Sequence, residues 1–289
     1  MLTSFVLPAL LLAGLYALIS LAWVAIFQAT GAFNLATGSF ILLGPYLVQE
    51  LATQRGVPLL LAIPIALLLS AAAGVLTYQL MLRPLAGRPL LAPIIVTLGV
   101  SITINALVQI LWGAGSRPIT DPQVLGVVRL SEGRQVPILN LIAIAASFVF
   151  VLGVLALTRF TRLGILMRAS AENVLRAEQM GIGIHRMASL GWGIAALAAA
   201  LAGLTYAFQN LASPDLALLG FKGLAPAMLG GFQSPGGALI GSLVVALIET
   251  GAVRIWGGSV REVVPFVVLL VILLVRPQGL FGKPTYLRV

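Results

Sequence analysis

The chain has 289 residues, of which 60% are hydrophobic and only 9% are charged. This composition excludes an ordinary soluble domain, in which about 25% of residues are charged. Lys and Arg number 17 against 8 Asp and Glu. Because these basic residues lie in short loops beside apolar stretches, orientation in a membrane explains them better than binding to nucleic acid does.

The apolar stretches that divide the chain identify a helical membrane protein. Several approach or exceed the ~20 residues that a helix needs to cross ~30 Å of hydrocarbon, and the alternation of a membrane β-barrel is absent. We predict an all-α polytopic membrane protein with about eight to nine membrane segments, some short or broken, in a single transmembrane domain over residues 1–289. The predicted segments are 5–27, 31–52, 57–82, 90–112, 137–157, 187–208, 216–232, 238–253 and 263–274.

Segment 31–52 begins with small and polar residues, Gly31-Ala-Phe-Asn-Leu-Ala-Thr-Gly38. Such a stretch at membrane depth is tolerated only where protein or a water-filled cavity surrounds it. Asn34 and Thr37 are therefore candidates for the lining of a translocation path.

Segment 90–112 carries a polar residue at every fourth position from 97 to 109. On a helix this spacing drifts by only ~40° per step, so the four residues share one broad face. They are able to hydrogen-bond a zwitterionic solute in a low-dielectric setting, or to join neighbouring spans, and both interpretations stay open. The residues are Thr97, Ser101, Asn105 and Gln109.

Glu249 lies deep in an apolar run, where an ionised side chain is costly. We expect it to pair with Arg254, five residues further along. A role as a proton relay is the alternative.

The longest charged interruption of the apolar pattern is 159–187. Within it, a spacing of i, i+3, i+4 and i+7 predicts one face of a short surface helix. Glu172 precedes Arg176 by one turn in the favourable order, and Gly181 is typical of a residue at which a helix stops. The residues with the helical spacing are Ala171, Val174, Leu175 and Glu178.

Three basic clusters set the expected orientation, because basic residues in short loops favour the cytoplasmic side. All three are cytoplasmic if the N-terminus is outside and segment 216–232 crosses at least partly; loop 113–136 then faces out. Gly31-Ala-Phe-Asn34 and Gly231-Phe-Gln-Ser234 fall on the same membrane side, which suggests two parallel repeats. The clusters are Arg83 with Arg88, the five arginines from Arg159 to Arg186, and Arg276 with Lys283 and Arg288.

Four sequence blocks follow one another along the chain: Gly31 to Gly38, Arg168-Ala-Ser-Ala-Glu172 through Arg186, Gly220-Phe-Lys-Gly-Leu-Ala through Gly241, and Val275-Arg-Pro-Gln-Gly-Leu-Phe-Gly282. Together and in this order they resemble the permease subunits of branched-chain amino acid ABC transporters. The match extends over nearly the whole chain, and because no large extra domain is attached, the chain is similar to the shorter of the two permease types.

The resemblance implies an ATP-driven importer of branched-chain or related small amino acids in the bacterial plasma (inner) membrane. It makes loop 159–187 the counterpart of the family's Glu-Ala-Ala coupling motif, here degenerate, which docks into a groove on a cytoplasmic ATPase. The expected partners are a second, related permease subunit, two cytoplasmic ATPases and an external solute-binding protein. The expected coupling residues are Arg168, Ala171, Glu172, Val174, Leu175, Arg176, Glu178 and Gly181.

A self-sufficient channel or secondary carrier for small polar solutes such as urea or amides is the alternative. Such a protein has no need of a docking helix in a charged loop. No catalytic triad, paired carboxylates or metal-ligand set stands out in the spans, so we expect no catalytic residues, no metal and no cofactor.

Overall fold

The computed structural model describes residues 2–89, 91–119, 126–129 and 135–282. Lys283 and Arg288, which belong to the third basic cluster, and the first residue of predicted segment 90–112 lie outside this part of the chain.

The described residues are mainly helical, with one antiparallel pair of short strands, Val127–Arg129 (β1) and Gln135–Pro137 (β2), in the loop after α4. In the described part of the chain, six helices are long and apolar enough to cross a membrane, and shorter apolar helices accompany them, so the predicted all-α membrane fold is confirmed. The helices are α1 Leu2–Thr30, α2 Thr37–Val48, α3 Leu59–Thr77, α4 Leu91–Trp112, α5 Ile138–Phe160, α6 Arg162–Glu172, α7 Val174–Gln179, α8 Ile184–Ala207, α9 Leu216–Lys222, α10 Leu224–Gly230, α11 Pro235–Trp256 and α12 Val264–Val275.

Helices α1 and α8 form the centre of the bundle. In the most apolar window of each, 78% of residues are buried, against 22% or less in α3, α4 and α5. The outer helices instead present large apolar side chains such as Leu60 and Ile110 on their exposed faces. This is the arrangement expected when lipid replaces water as the surrounding solvent.

Small residues allow α8 to pack closely against α2. A Cβ added at Gly203 would meet the carbonyl oxygen of Ile41, and one added at Gly44 would meet the carbonyl oxygen of Ala200. Membrane helices commonly associate through small residues, because these let the backbones approach each other.

Predicted segment 216–232 is divided into α9 and α10 at Gly223. At ~1.5 Å per residue the two helices together rise only ~22 Å, less than the ~30 Å of hydrocarbon. Helix α9 packs against α2, where Gly220 lies directly on Gly38. Helix α10 packs against α11, where Gly230 lies directly on Gly237. Segment 216–232 is therefore a short, broken element held inside the protein.

The ends of the helices define two sides of the molecule. Arg117 and Ala212 exchange backbone hydrogen bonds at 2.8 Å, so the loops after α4 and α8 meet. Helix α8 begins beside α6 and α7 and rises ~36 Å, which places α6 and α7 on the opposite side. We call the side of Arg117 the outer side and the side of α6 and α7 the inner side, following the predicted orientation.

Candidate functional site

The charged loop forms two short helices, α6 and α7, and the prediction of one helical face from Ala171 to Glu178 is wrong. Asn173 separates the helices in an extended conformation, and its side-chain oxygen accepts a 2.9 Å hydrogen bond from the backbone N–H of Arg176. Asn is a preferred residue for capping a helix N-terminus in this way. Ala171 therefore lies in the last turn of α6, which ends at Glu172, while Val174 and Leu175 begin α7.

Gly181 ends α7, as predicted. It has a positive φ of 78°, a conformation that glycine adopts without the clash of a Cβ. Its N–H donates to the carbonyl of Glu178, and the N–H of Ile182 donates to the carbonyl of Ala177. These two bonds satisfy carbonyls that the helix end leaves free.

Helix α7 exposes an apolar surface on the inner side. Val174, Leu175 and Met180 are 53%, 66% and 70% exposed, whereas Ala177 is buried against the rest of the protein. Met180, which directly follows α7 and which sequence reasoning did not select, adds to the same exposed set. The predicted polar residues Arg168, Glu172, Arg176 and Glu178 are exposed as well.

An inner cavity of about 690 Å³ lies between this loop and the end of α1. Its wall includes Arg88 from the linker between α3 and α4, Arg168 from α6 and Glu178 from α7. His185 also lines it and lies 3.0 Å, through Nδ1, from the hydroxyl of Tyr78. The cavity thus joins two of the predicted basic clusters.

Three aromatic rings close around the inner end of α1. Phe27, Phe33 and Phe232 have ring centroids 5.0 to 5.6 Å apart. Phe33 and Phe232 belong to the two stretches that suggested a repeat, so the fold brings those stretches into contact on one side of the molecule. Beside them, Gln28 donates to the carbonyl of Gln233 at 2.7 Å.

The polar face of α4 lies mostly against α2. Ser39 of α2 is 2.7 Å from Ser101, and Asn105 donates to the Ser39 hydroxyl at 2.8 Å. Thr97 accepts a 3.2 Å bond from the backbone N–H of Leu35. These contacts join two helices. Gln109, the fourth predicted residue of this face, is exposed.

Asn34 and Thr37 are both buried and bond mainly to each other and to nearby backbone. The side-chain oxygen of Asn34 accepts from the N–H of Ala36 at 2.9 Å, which is a local turn of the kind that Asn commonly forms. These hydrogen bonds hold the backbone turn that precedes α2. A role of either residue in a translocation path stays a prediction.

An outer cavity of about 480 Å³ was missed by sequence reasoning. It lies between the first half of α1, the end of α8, α9 and the end of α11. Leu11, Leu12, Leu15 and Leu219 form part of its apolar wall. The lining also contains five charged side chains: Lys222, Glu249, Arg254, Arg261 and Glu262.

The expected pairing of Glu249 with Arg254 is wrong. Glu249 is 1% exposed, and its Oε2 accepts a 2.5 Å hydrogen bond from the hydroxyl of Tyr16. Its Oε1 lies 4.0 Å from Nε of Arg261. Since α11 turns the Glu249 side chain toward α1, its strongest partner is distant in sequence. The sequence signal that could have located the outer cavity is Glu249 itself, an ionisable residue within an apolar segment.

A bundle of apolar helices with cavities at opposite ends of a buried central helix is typical of a multi-pass membrane permease. The comparisons with known proteins agree. A family model described as branched-chain amino acid transport system / permease component matches residues 5–274. The chain belongs to this family.

Curated relatives cover almost the full chain. The high-affinity branched-chain amino acid transport system permease protein LivH of Escherichia coli is 30% identical over 285 residues, which is 93% of this chain and 92% of that protein. The corresponding protein BraD of Pseudomonas aeruginosa is 28% identical over 287 residues, with the same coverage.

The fold is also similar to a solved structure. A chain of PsaBC from Streptococcus pneumoniae in complex with Fab aligns with a TM-score of 0.54 at 13% identity, covering 95% of this chain and 92% of that chain. At this identity the likeness supports the fold alone.

Proposed function

We propose that this chain is the permease subunit of an ATP-driven importer for branched-chain or related small amino acids in the plasma membrane. In this proposal an external binding protein delivers the solute, and a second, related permease subunit completes the path. Two cytoplasmic ATPases drive transport. The names of the relatives support the substrate class.

The observation that supports coupling most directly is the exposed apolar surface of α7. Val174, Leu175 and Met180 lie on a segment too polar and too short to be a membrane span. Exposed apolar side chains rimmed by charged residues are typical of a protein interaction surface. A cytoplasmic ATPase is the partner that an importer requires on this side. The remaining predicted coupling residues, among them Arg168, Glu172 and Glu178, form the polar rim.

The proposed path runs between the outer and inner cavities along α1. All residues from Ala17 to Ile26 of α1 are buried, so the two cavities are separated in this conformation. A permease that alternates between outward and inward openings needs such a closed middle section. Asn34 and Thr37 remain candidates for parts of this path, whereas the bonds of Ser101 and Asn105 to Ser39 of α2 favour a structural role for the polar face of α4.

Reconstitution tests the proposal. Vesicles that contain both permease subunits, both ATPases and the binding protein should accumulate leucine when ATP is supplied, and vesicles that contain only this chain should not. ATP-independent flux of leucine or urea through the purified chain alone would support the channel or carrier alternative instead.

A further inference from the structure

The outer cavity combines buried charged side chains with an apolar wall, and this combination limits the kinds of ligand that fit it. Glu249 is 1% exposed and Lys222 is 8% exposed. Isolated ionisable groups are costly in a membrane segment and commonly mark the path of a substrate or ion. Here residues of both signs line one cavity next to leucine side chains, so the cavity suits a ligand that is charged at one end and apolar at the other.

We propose that the outer cavity is a binding site for the transported solute, which is an amino acid held as a zwitterion. Glu249 would receive the ammonium group, while Arg261 and Lys222 would face the carboxylate. The apolar side chain would lie against Leu11, Leu15 and Leu219. This inference rests on the proposed function, because it assigns a place in the permease to the amino acid that the importer moves.

The contacts of Glu249 leave one carboxylate oxygen available. Oε2 is bound by the Tyr16 hydroxyl at 2.5 Å, which fixes the orientation of the carboxylate. Oε1 has only a loose approach to Arg261 at 4.0 Å, longer than the 2.7–2.9 Å of a charge-assisted hydrogen bond. An arriving ammonium group is able to take that position.

The two basic side chains that would face the solute carboxylate are able to change partners. The Arg261 side chain is 63% exposed, so it is free to move onto a ligand. Lys222 is held by Glu262 at 2.6 Å, and the Glu262 side chain is 74% exposed. A solute carboxylate would compete with Glu262 for the Lys222 ammonium. The site therefore offers a partner to each charge of a zwitterion.

The size and position of the cavity fit this role. A volume of about 480 Å³ lies within the ~300–1,000 Å³ of small-molecule sites. The cavity opens among helix ends on the outer side, where a binding protein would release its solute. Urea carries no charge, so a site with two acids and three bases is not built for it.

Photoaffinity labelling of the complete transporter in nanodiscs tests the assignment. The probe is the diazirine analogue of leucine, and the labelled peptides are mapped by mass spectrometry. We expect labels on peptides containing Leu11 to Tyr16 or Leu216 to Lys222. Excess leucine should remove them, whereas leucinamide, which lacks the carboxylate, should not.

Three variants refine the test. Glu249→Gln keeps the shape and an oxygen that accepts from Tyr16, and Arg261→Gln changes an exposed side chain. Both should reduce specific labelling by about 30-fold or more, since each removes one partner of a charge pair. Arg55→Gln, which changes an exposed arginine paired with Glu50 outside this cavity, should leave labelling unchanged. ATPase assembly serves as the folding check for all three.

The outcomes separate this inference from the proposed function. If ATP-driven leucine uptake is normal but no label maps to the cavity, or if both cavity variants label like the parent, the cavity is not the solute site and the importer assignment stands. If leucine uptake is absent from the complete complex, the proposed function fails first. Labelling that leucine does not displace, together with phosphatidylethanolamine retained in the cavity, would assign the site to a lipid headgroup and overturn the inference.

Discussion

Phe33 and Phe232 lie edge to face, with ring centroids 5.3 Å apart and planes inclined at 77°. They belong to two similar stretches that are almost two hundred positions apart in the chain. Phe27 contacts both rings, so the three aromatics form one cluster at the inner end of α1. Because Phe27 lines the inner cavity, we propose that the cluster closes the proposed path on that side.

We expect Phe33→Ala to open this closure. The substitution removes a ring that contacts two others, and packing between aromatic pairs contributes about 0.5–1.5 kcal/mol each beyond burial. Leucine should then leak from preloaded vesicles without ATP, faster than with the parent. Phe266→Ala, in an exposed position on α12, is the control. An unchanged leak rate in Phe33→Ala would show that the aromatic cluster does not close the path.

The apolar surface of α7 should be essential for coupling. Leu175→Glu places a charge where the proposed ATPase contact is apolar, and buried hot-spot residues are worth about 2 kcal/mol or more. ATP-driven uptake should fall about tenfold or more while membrane insertion stays normal, because Leu175 is exposed in the isolated chain. Gln179→Glu introduces the same side chain at an exposed polar position of the same helix and should be tolerated. Equal effects of the two substitutions would contradict a specific contact through Leu175.

Asn105 tests the role of the polar face of α4. Its side chain donates to Ser39 of α2 at 2.8 Å, and hydrogen bonds between membrane helices are worth about 0.6–2 kcal/mol. We expect Asn105→Leu to lower the thermal unfolding temperature while leaving the KM for leucine unchanged, with exposed Gln109→Leu affecting neither. A raised KM at unaltered stability would instead favour a translocation path along this face.

Gly203 should be intolerant of a larger residue. An added Cβ would meet the carbonyl oxygen of Ile41 on α2, and forcing extra atoms into a packed contact typically costs about 1–3 kcal/mol. Gly203→Ala should therefore reduce the unfolding temperature and the yield of assembled complex. Gly99→Ala is a matched control, because Gly99 also lies in a membrane helix and a Cβ there meets nothing within 4 Å. Similar losses for both variants would show that close packing is not the cause.

The predicted orientation can be tested with single cysteines, since the chain has none. A thiol at exposed Ser116 should react with a membrane-impermeant maleimide added outside intact cells. A thiol at exposed Gln179 should react only after the cells are opened. The opposite pattern would invert the assignment of the outer and inner sides.

The class of protein was available from the sequence, because local composition determines it. An apolar stretch of about 20 residues has few ways to satisfy its backbone in a bilayer other than as a helix. The same local logic identified the charged loop and the stop at Gly181. Ordered motifs such as Gly31 to Gly38 and Gly230 to Gly241 also pointed to the family that the comparisons confirmed.

The tertiary structure alone decided which helices lie at the centre and which side chains meet. Local hydropathy does not distinguish buried α1 from exposed α3, since the mean hydropathy of the two spans is 2.4 and 2.6. Glu249 was assigned a partner five residues away, yet the fold turns it toward Tyr16, and it brings Lys222, Arg261 and Glu262 to the same cavity. These contacts join residues that are far apart in the sequence. They form only once whole helices have packed, and small residues on several helices determine how closely those helices approach.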